Sequence, residues 1–131
     1  VISIDKYSQV PIYEQIISEI ERLILLGLMK PGSPLPSVRS LSQELSINPN
    51  TLQKAYSELE RRGVCRSVPG TGRFISDNAV EILRGEYEAA LPGLADAVKR
   101  LAISGVPFDL ICKTIKKSYN EAESKKGETQ E

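Results

Sequence analysis

The sequence predicts a mainly α fold with one small β-hairpin, and three observations carry that expectation. Apolar residues recur at helical spacing over 12–24, 38–45 and 52–59. Two β-prone runs, 64–68 and 73–76, enclose the turn-forming sequence Pro69-Gly70-Thr71-Gly72. Beyond residue 77 the pattern is helical again, interrupted at Pro92-Gly93 and at Ser104-Gly105. A chain of 131 residues holds one ordinary domain, or a small domain with an appendage.

Residues 1–10 form a short arm in which Ile2 and Ile4 alternate, either as a strand or as packing residues. Pro11 suits the first turn of a helix, where its missing N–H costs nothing. Ile12, Tyr13, Ile16, Ile17, Ile20, Leu23 and Ile24 then line one face of that helix. Gly27 begins to close it, and the breakers in LMKPGSPLP make 28–36 a loop. Ser37 is placed to cap a second helix with Val38, Leu41 and Leu45 facing inward. Asn48 caps a third, Pro49 fixes its entry, and Leu52, Ala55, Tyr56 and Leu59 form its apolar face up to Gly63.

Residues 35–63 therefore read as two short helices joined by a tight turn, the arrangement that carries side chains into a DNA major groove. The outer side of the third helix offers Asn50, Thr51, Gln53, Lys54 and Ser57, whose lengths reach base edges or phosphates. The hairpin that follows is a wing, with Arg66 and Arg73 flanking the Gly70-Thr71 tip. The same polar face is also what an ordinary solvated helix shows, and the wing glycines also serve a turn. Arg61 and Arg62 precede Gly63, where positive charge favours a helix C-terminus, so at least one of them has a structural reading.

The net charge of zero is unevenly spread. Residues 30–76 hold seven basic side chains against three acidic, a net of +4, whereas residues 77–131 hold eight against ten, a net of −2. The positive field sits where phosphate neutralisation would use it. The absence of histidine, of a Gly-rich phosphate loop and of any paired nucleophile and base argues against an enzyme. No metal and no cofactor are expected. No apolar run reaches the length of a membrane span and no secretory signal is visible, so a cytoplasmic protein without membrane association is expected. Cys65 and Cys112 stand alone on apolar faces as free thiols, with a regulatory disulfide as the alternative.

Past Asp77, a candidate cap, Val80, Leu83, Tyr87, Ala90, Leu94, Ala97 and Leu101 recur at spacings of three and four. Pro92 should kink or break this helix near 88–92. Pro107 opens another helix, with Phe108, Ile111, Ile115 and Tyr119 on one face, and the polar ESKKGETQE reads as a frayed or disordered tail. The seam packs either on its own domain or on a second copy. Some fifty residues in two helices build little core alone, which favours a second copy meeting at Val80, Leu83, Tyr87, Leu94, Leu101, Ile111 and Ile115. The domain division expected is 1–76 for the winged helix-turn-helix and 77–131 for a helical dimerisation region with its tail.

The elements that carry a family resemblance are Pro11-Ile12-Tyr13, Gly27, Pro31-Gly32, Leu35-Pro36-Ser37-Val38-Arg39, Leu41, Leu45, Asn48-Pro49-Asn50-Thr51, Ala55-Tyr56, Leu59-Glu60, Gly63 and Gly70-Thr71-Gly72. With these, residues 11–76 resemble the winged helix-turn-helix domain of the GntR family of bacterial transcription regulators. The short helical C-terminal part is similar to that of the family's small YtrA-like branch. The resemblance implies a homodimer that represses by binding a double-stranded DNA operator, often in operons with ABC transporter genes. It places DNA contacts on Arg39, Asn50, Thr51, Gln53 and Gly70. Many relatives carry an arginine where Pro49 stands and a basic residue where Gln53 stands, so guanine readout there should diverge, with Lys54 available to supply charge. A protein-interaction module that does not read an operator is the alternative function. The operator sequence and any small-molecule effector are not legible from the chain.

Overall fold

The computed structural model describes residues 2–130. Its elements in order are α1 (Ile12–Leu25), α2 (Val38–Leu45), α3 (Pro49–Arg61), β1 (Cys65–Val68), β2 (Gly72–Ile75), α4 (Ala79–Glu88), α5 (Leu91–Ile103) and α6 (Phe108–Gln130). They divide into two compact units, Val1–Gly85 and Glu86–Glu131. The mainly α class with one antiparallel hairpin is what the sequence implied.

In the first unit the core is built on α1 and α3. Ile16, Ile20, Leu52, Ala55 and Leu59 have no exposed surface, and Tyr56 is almost as deeply buried. Each of the isoleucine and leucine side chains contributes about 1.5–3 kcal/mol on burial. The caps read from the sequence are present. Ser37 Oγ accepts the Ser40 N–H at 3.0 Å, and Asn48 Oδ1 accepts the Asn50 N–H at 2.8 Å with Pro49 in the first helical turn. Gly63 follows α3 at φ 81°, a left-handed terminus that a side chain would strain. The turn between α2 and α3 contains a second left-handed residue, Ser46, at φ 55°. No glycine marks that position in the sequence.

The hairpin pairs Cys65 with Ile75, Arg66 with Phe74, Ser67 with Arg73 and Val68 with Gly72. The segment read as a plain loop before α2 adds to it. Gly32 N–H donates to the Ile75 carbonyl at 2.8 Å, Ile75 N–H to the Ser33 carbonyl at 2.9 Å, and Leu35 N–H to the Arg73 carbonyl at 2.9 Å. A strap of backbone thus covers the outer edge of β2 and ties the wing to the start of α2.

The first unit extends past residue 76, where the sequence placed its end. Ala79 and Leu83 of α4 are fully buried in its core, and Val80 and Ile82 pack against it. Leu83 and Val80 were expected in a seam between copies; Leu83 is enclosed by its own chain and cannot face a partner. The α4 helix begins two residues after Asp77, the first turn closing with Ile82 N–H on the Asn78 carbonyl.

The second unit consists of α5 and α6 with the end of α4. The expected break falls at 89–90, and Pro92 stands in the first turn of α5, where it removes no hydrogen bond. The 80–101 repeat is therefore split between two helices. After α5 the chain turns at Gly105, and α6 begins at Phe108 after Pro107. The stretch from Glu123 to Gln130, read as a frayed tail, lies in α6, and Glu131 is outside the described residues. Ala122, Glu121, Glu123, Lys125 and Lys126 are strong helix formers, and Glu121 and Lys125 stand at the i,i+4 spacing that supports a helix.

One long-range ion pair joins α1 to the end of α3. Arg62 Nη2 lies 2.9 Å from Glu21 Oε2, with side-chain exposures of 17% and 9%. That position makes Arg62 structural. Glu21→Ala should cost about 3 kcal/mol in chemical denaturation by stranding the guanidinium, whereas Glu21→Leu with Arg62→Leu should restore most of it. Tyr56→Phe, which removes the 2.8 Å bond from the hydroxyl to the Pro36 carbonyl, should cost about 1 kcal/mol in the same assay.

Candidate nucleic-acid interface

Because Leu52, Ala55, Tyr56 and Leu59 turn inward, the opposite side of α3 is fixed toward solvent. Asn50, Gln53 and Ser57 are exposed there at i, i+3 and i+7, one stripe along the helix. Gln53 Nε2 donates to Ser57 Oγ at 3.2 Å, so the two side chains are already oriented relative to each other. Thr51 is half-buried at the edge of this face. Arg39 is exposed on α2, and its carbonyl accepts the Ser42 hydroxyl at 3.1 Å, which anchors the backbone beneath it.

Lys54 lies off the stripe. Its Nζ sits 3.7 Å from the centroid of the Tyr13 ring, a cation–π contact between α3 and α1. The groove there, of about 630 Å³, is lined by Tyr13, Ile17, Lys54, Ser57, Glu58, Arg61 and Arg62. Arg61 Nε lies 2.9 Å from Glu58 Oε2, and that hydrogen bond holds the Glu58 carboxyl below the usual carboxylate range. Arg61 and Arg62 are thus both matched with carboxylates, Glu58 and Glu21. Glu58 is already counted in the +4 of the 30–76 segment, and Glu21, from outside it, offsets one further charge.

On the wing, Arg66 is exposed and its guanidinium lies 5.7 Å from the ring of Phe74, its cross-strand partner. The Gly70-Thr71 tip is exposed, with Gly70 at φ 74° and nothing within 4 Å of where a Cβ would stand. Arg73 is different. Its guanidinium carbon lies 5.4 Å from the Tyr56 ring, and its Nε is buried without a hydrogen-bond partner. A cleft of about 270 Å³ opens beside it between the strap, Ser37 and the second wing strand. Burial raises the Tyr56 hydroxyl above the tyrosine range, with the Arg73 charge opposing. Burial, with Glu60 nearby, pushes the Cys65 thiol up to about 11, so it stays a neutral core group. Cys65 and Cys112 are both free thiols.

Asn50, Gln53, Lys54, Ser57, Arg39, Arg66, Gly70 and Thr71 all lie exposed on the first unit, with Lys54 and Arg66 each beside an aromatic ring, whereas Arg73 is partly buried over Tyr56. Tyr13 and Tyr56 counted in the sequence only as apolar positions. Their second role, as platforms for cations, joins residues 41 and 17 positions apart and has no signal in local spacing. In the second unit, Leu94, Leu101 and Ile115 are exposed, and Ile111 is buried at 8%. Tyr87 is exposed at the end of α4. Among the described residues no cluster of His, Cys, Asp or Glu is suited to hold a metal, and no helix is long and apolar enough to cross a membrane.

Residues 12–75 match the family described as bacterial regulatory proteins, gntR family. The HTH-type transcriptional repressor YtrA of Bacillus subtilis (strain 168) is 43% identical over 119 residues, covering 88% of this chain and 89% of that protein. YtrA from Sulfolobus acidocaldarius, a GntR-family transcription factor, superposes with a TM-score of 0.55 at 37% identity, over 70% of this chain and 97% of that one. The structure of AraR(DBD) in complex with operator ORX1 superposes with a TM-score of 0.51 at 29% identity, over 56% of this chain and 92% of that one. These relatives are transcription regulators and not enzymes, and the match runs through the helix-turn-helix and wing just described. The chain belongs to the GntR family of bacterial regulatory proteins, in its YtrA-like branch.

Proposed function

We propose that this chain is a cytoplasmic transcriptional repressor that binds a pseudo-palindromic operator in double-stranded DNA as a homodimer. The observation that carries the reading is the Asn50–Gln53–Ser57 stripe, held outward by a fully buried opposite face, with Arg39 and the wing tip exposed on the same unit. Amide and hydroxyl side chains read base edges, while Arg39, Arg66 and Thr71 take phosphates. The proteins named above as a repressor and as an operator complex support the same assignment. Operons with ABC transporter genes are the first targets to test, on the strength of the family resemblance.

With no basic residue at position 49 or 53, base readout on α3 rests on neutral amides. Gln suits adenine, with its paired N6 donor and N7 acceptor, better than guanine. The proposed operator half-site therefore places adenine, rather than guanine, opposite Gln53. Lys54, seated on Tyr13, contributes long-range field and not a base contact.

The second unit supports the dimer. Its groove of about 340 Å³ between α5 and α6 is lined by apolar groups such as Leu94, Val98, Leu101, Leu110 and Ile115. Several of these are around half exposed, and Phe108 and Tyr119, also on α6, are more exposed still. A two-helix unit that leaves so much apolar surface in water is completed by a second copy, and paired reading heads then gain affinity and spacing specificity. The proposed seam keeps the exposed Tyr87, Leu94, Leu101 and Ile115, loses Val80 and Leu83 to the core of the first unit, and has Ile111 buried within its own unit at the floor of the groove.

Selection from random duplex DNA should recover a two-fold-symmetric site whose binding weakens steeply with salt. Arg39→Ala should weaken that binding by about 1–3 kcal/mol; equal affinity of the unaltered protein for the selected duplex and a scrambled one would defeat the operator reading. Leu101→Lys should convert the dimer to a monomer at micromolar concentration in analytical ultracentrifugation. A monomeric mass for the unaltered protein would remove the dimer from the proposal.

A further inference from the structure

The arm that precedes α1 has more structure than a leader needs. Gln15 reaches back from α1 to hold both of its ends: Nε2 donates to the Asp5 carbonyl at 2.9 Å and the Val10 carbonyl at 2.8 Å, and Oε1 accepts the Asp5 N–H at 2.8 Å. Within the loop, Tyr7 N–H bonds Asp5 Oδ1 at 2.9 Å and Val10 N–H bonds Ser8 Oγ at 3.1 Å. Ile2 and Ile4 pack on the core. The loop between them and α1 is therefore a fixed projection, and its two central side chains are Lys6 and Tyr7.

Lys6 crosses to the helix-turn-helix. Its ammonium donates to the Ser46 carbonyl at 2.9 Å, at the left-handed residue of the turn between α2 and α3. It shares an open cleft of about 330 Å³ with Ile12, Ser46, Ile47, Asn48 and Thr51, so its charge lies beside the entry to α3. An ammonium has three donors, and one is committed to Ser46. Residues 1–29 carry only two basic side chains, Lys6 and Arg22, and Arg22 is paired with Glu19 at 3.2 Å. The cation at Lys6 is thus one placed charge and not part of a broadly basic surface. Tyr7, next to it, is 99% exposed, an aromatic ring with a terminal hydroxyl that the monomer leaves wholly in water.

We infer that the N-terminal arm is a third DNA-contacting element, in which Lys6 and the Tyr7 hydroxyl take backbone phosphates beside the site entered by α3. Lysine and tyrosine at a helix-turn-helix edge suit phosphate oxygens, which position the protein without reading sequence. The contact to Ser46 adds a coupling. The same ammonium that meets phosphate also ties the arm to the turn that aims α3. This inference rests on the operator-binding proposal above.

The test uses the full chain with its selected duplex and a scrambled duplex, with binding measured between 50 and 200 mM salt, and with thermal unfolding of each variant. Lys6→Ala should reduce the slope of log K against log salt by about 0.9 for each Lys6 lost and weaken both duplexes by the same factor. Lys6→Arg should keep the slope. Tyr7→Phe should weaken both duplexes about fivefold, as loss of one hydrogen bond does, with no change in slope or melting temperature. An unchanged slope for Lys6→Ala overturns the inference, including the case in which affinity and melting temperature fall together, because Lys6 would then only brace Ser46. Absence of any preference for the selected duplex by the unaltered protein defeats operator reading itself, a result distinguishable from the failure of the arm alone.

Discussion

Everything on the outer surface of the first unit depends on the way α3 is gripped from behind. Leu52, Ala55, Tyr56 and Leu59 are sealed in the core that α3 shares with α1, α2 and β1, and the Glu21–Arg62 pair pins the far end. A helix has one rotational setting that satisfies all of these contacts, and in that setting Asn50, Gln53 and Ser57 are exposed. A turn of the helix by a third of a revolution would expose Tyr56 and bury an amide, each at a cost of kilocalories. The reading face is thus specified by residues that never touch a ligand.

The electrostatic picture follows from the same packing. Counting charges along the chain treats every arginine and lysine as equally available, but the folded molecule sorts them. Arg61 and Arg62 are matched with carboxylates, and Lys54 and Arg73 rest on tyrosine rings. Arg39 and Arg66 keep exposed positions. Arg73 is the most committed of these, its Nε buried and its guanidinium 5.4 Å from the Tyr56 ring. The positive field near the helix-turn-helix is therefore narrower than its composition suggests, with its sources in Arg39 of α2, Lys54 of α3, the wing and the arm.

The features legible in the sequence were those encoded within a few residues: the caps at Ser37 and Asn48, the glycine stop at Gly63, the hairpin around Pro69–Gly72, and the break before Pro92. The outward set on α3 was legible for the same reason, since helical periodicity assigns faces locally. What escaped was set by distant partners. The strap at 32–35 looks like loop because its hydrogen bonds go to a strand forty residues away. The seam at 80–101 was assigned whole to a second copy because heptad spacing does not reveal which half is covered, and Leu83 was claimed by the core of the first unit. Ser46 adopts a left-handed turn without the glycine that announces one. Lys6 passed unnoticed because its value lies in reaching residue 46.

The strap has one more consequence, for how this fold can change through descent. The second wing strand is bonded on both edges, by β1 and by the 32–35 segment, so inserting or deleting a residue in the strap would shift the wing and the start of α2 together. The tip at 69–71 has no such obligation, since the space around Gly70 is open. Length variation is therefore tolerable at the tip and penalised in the strap. Lineages can lengthen or shorten the reach of the wing while the geometry at its root is inherited intact.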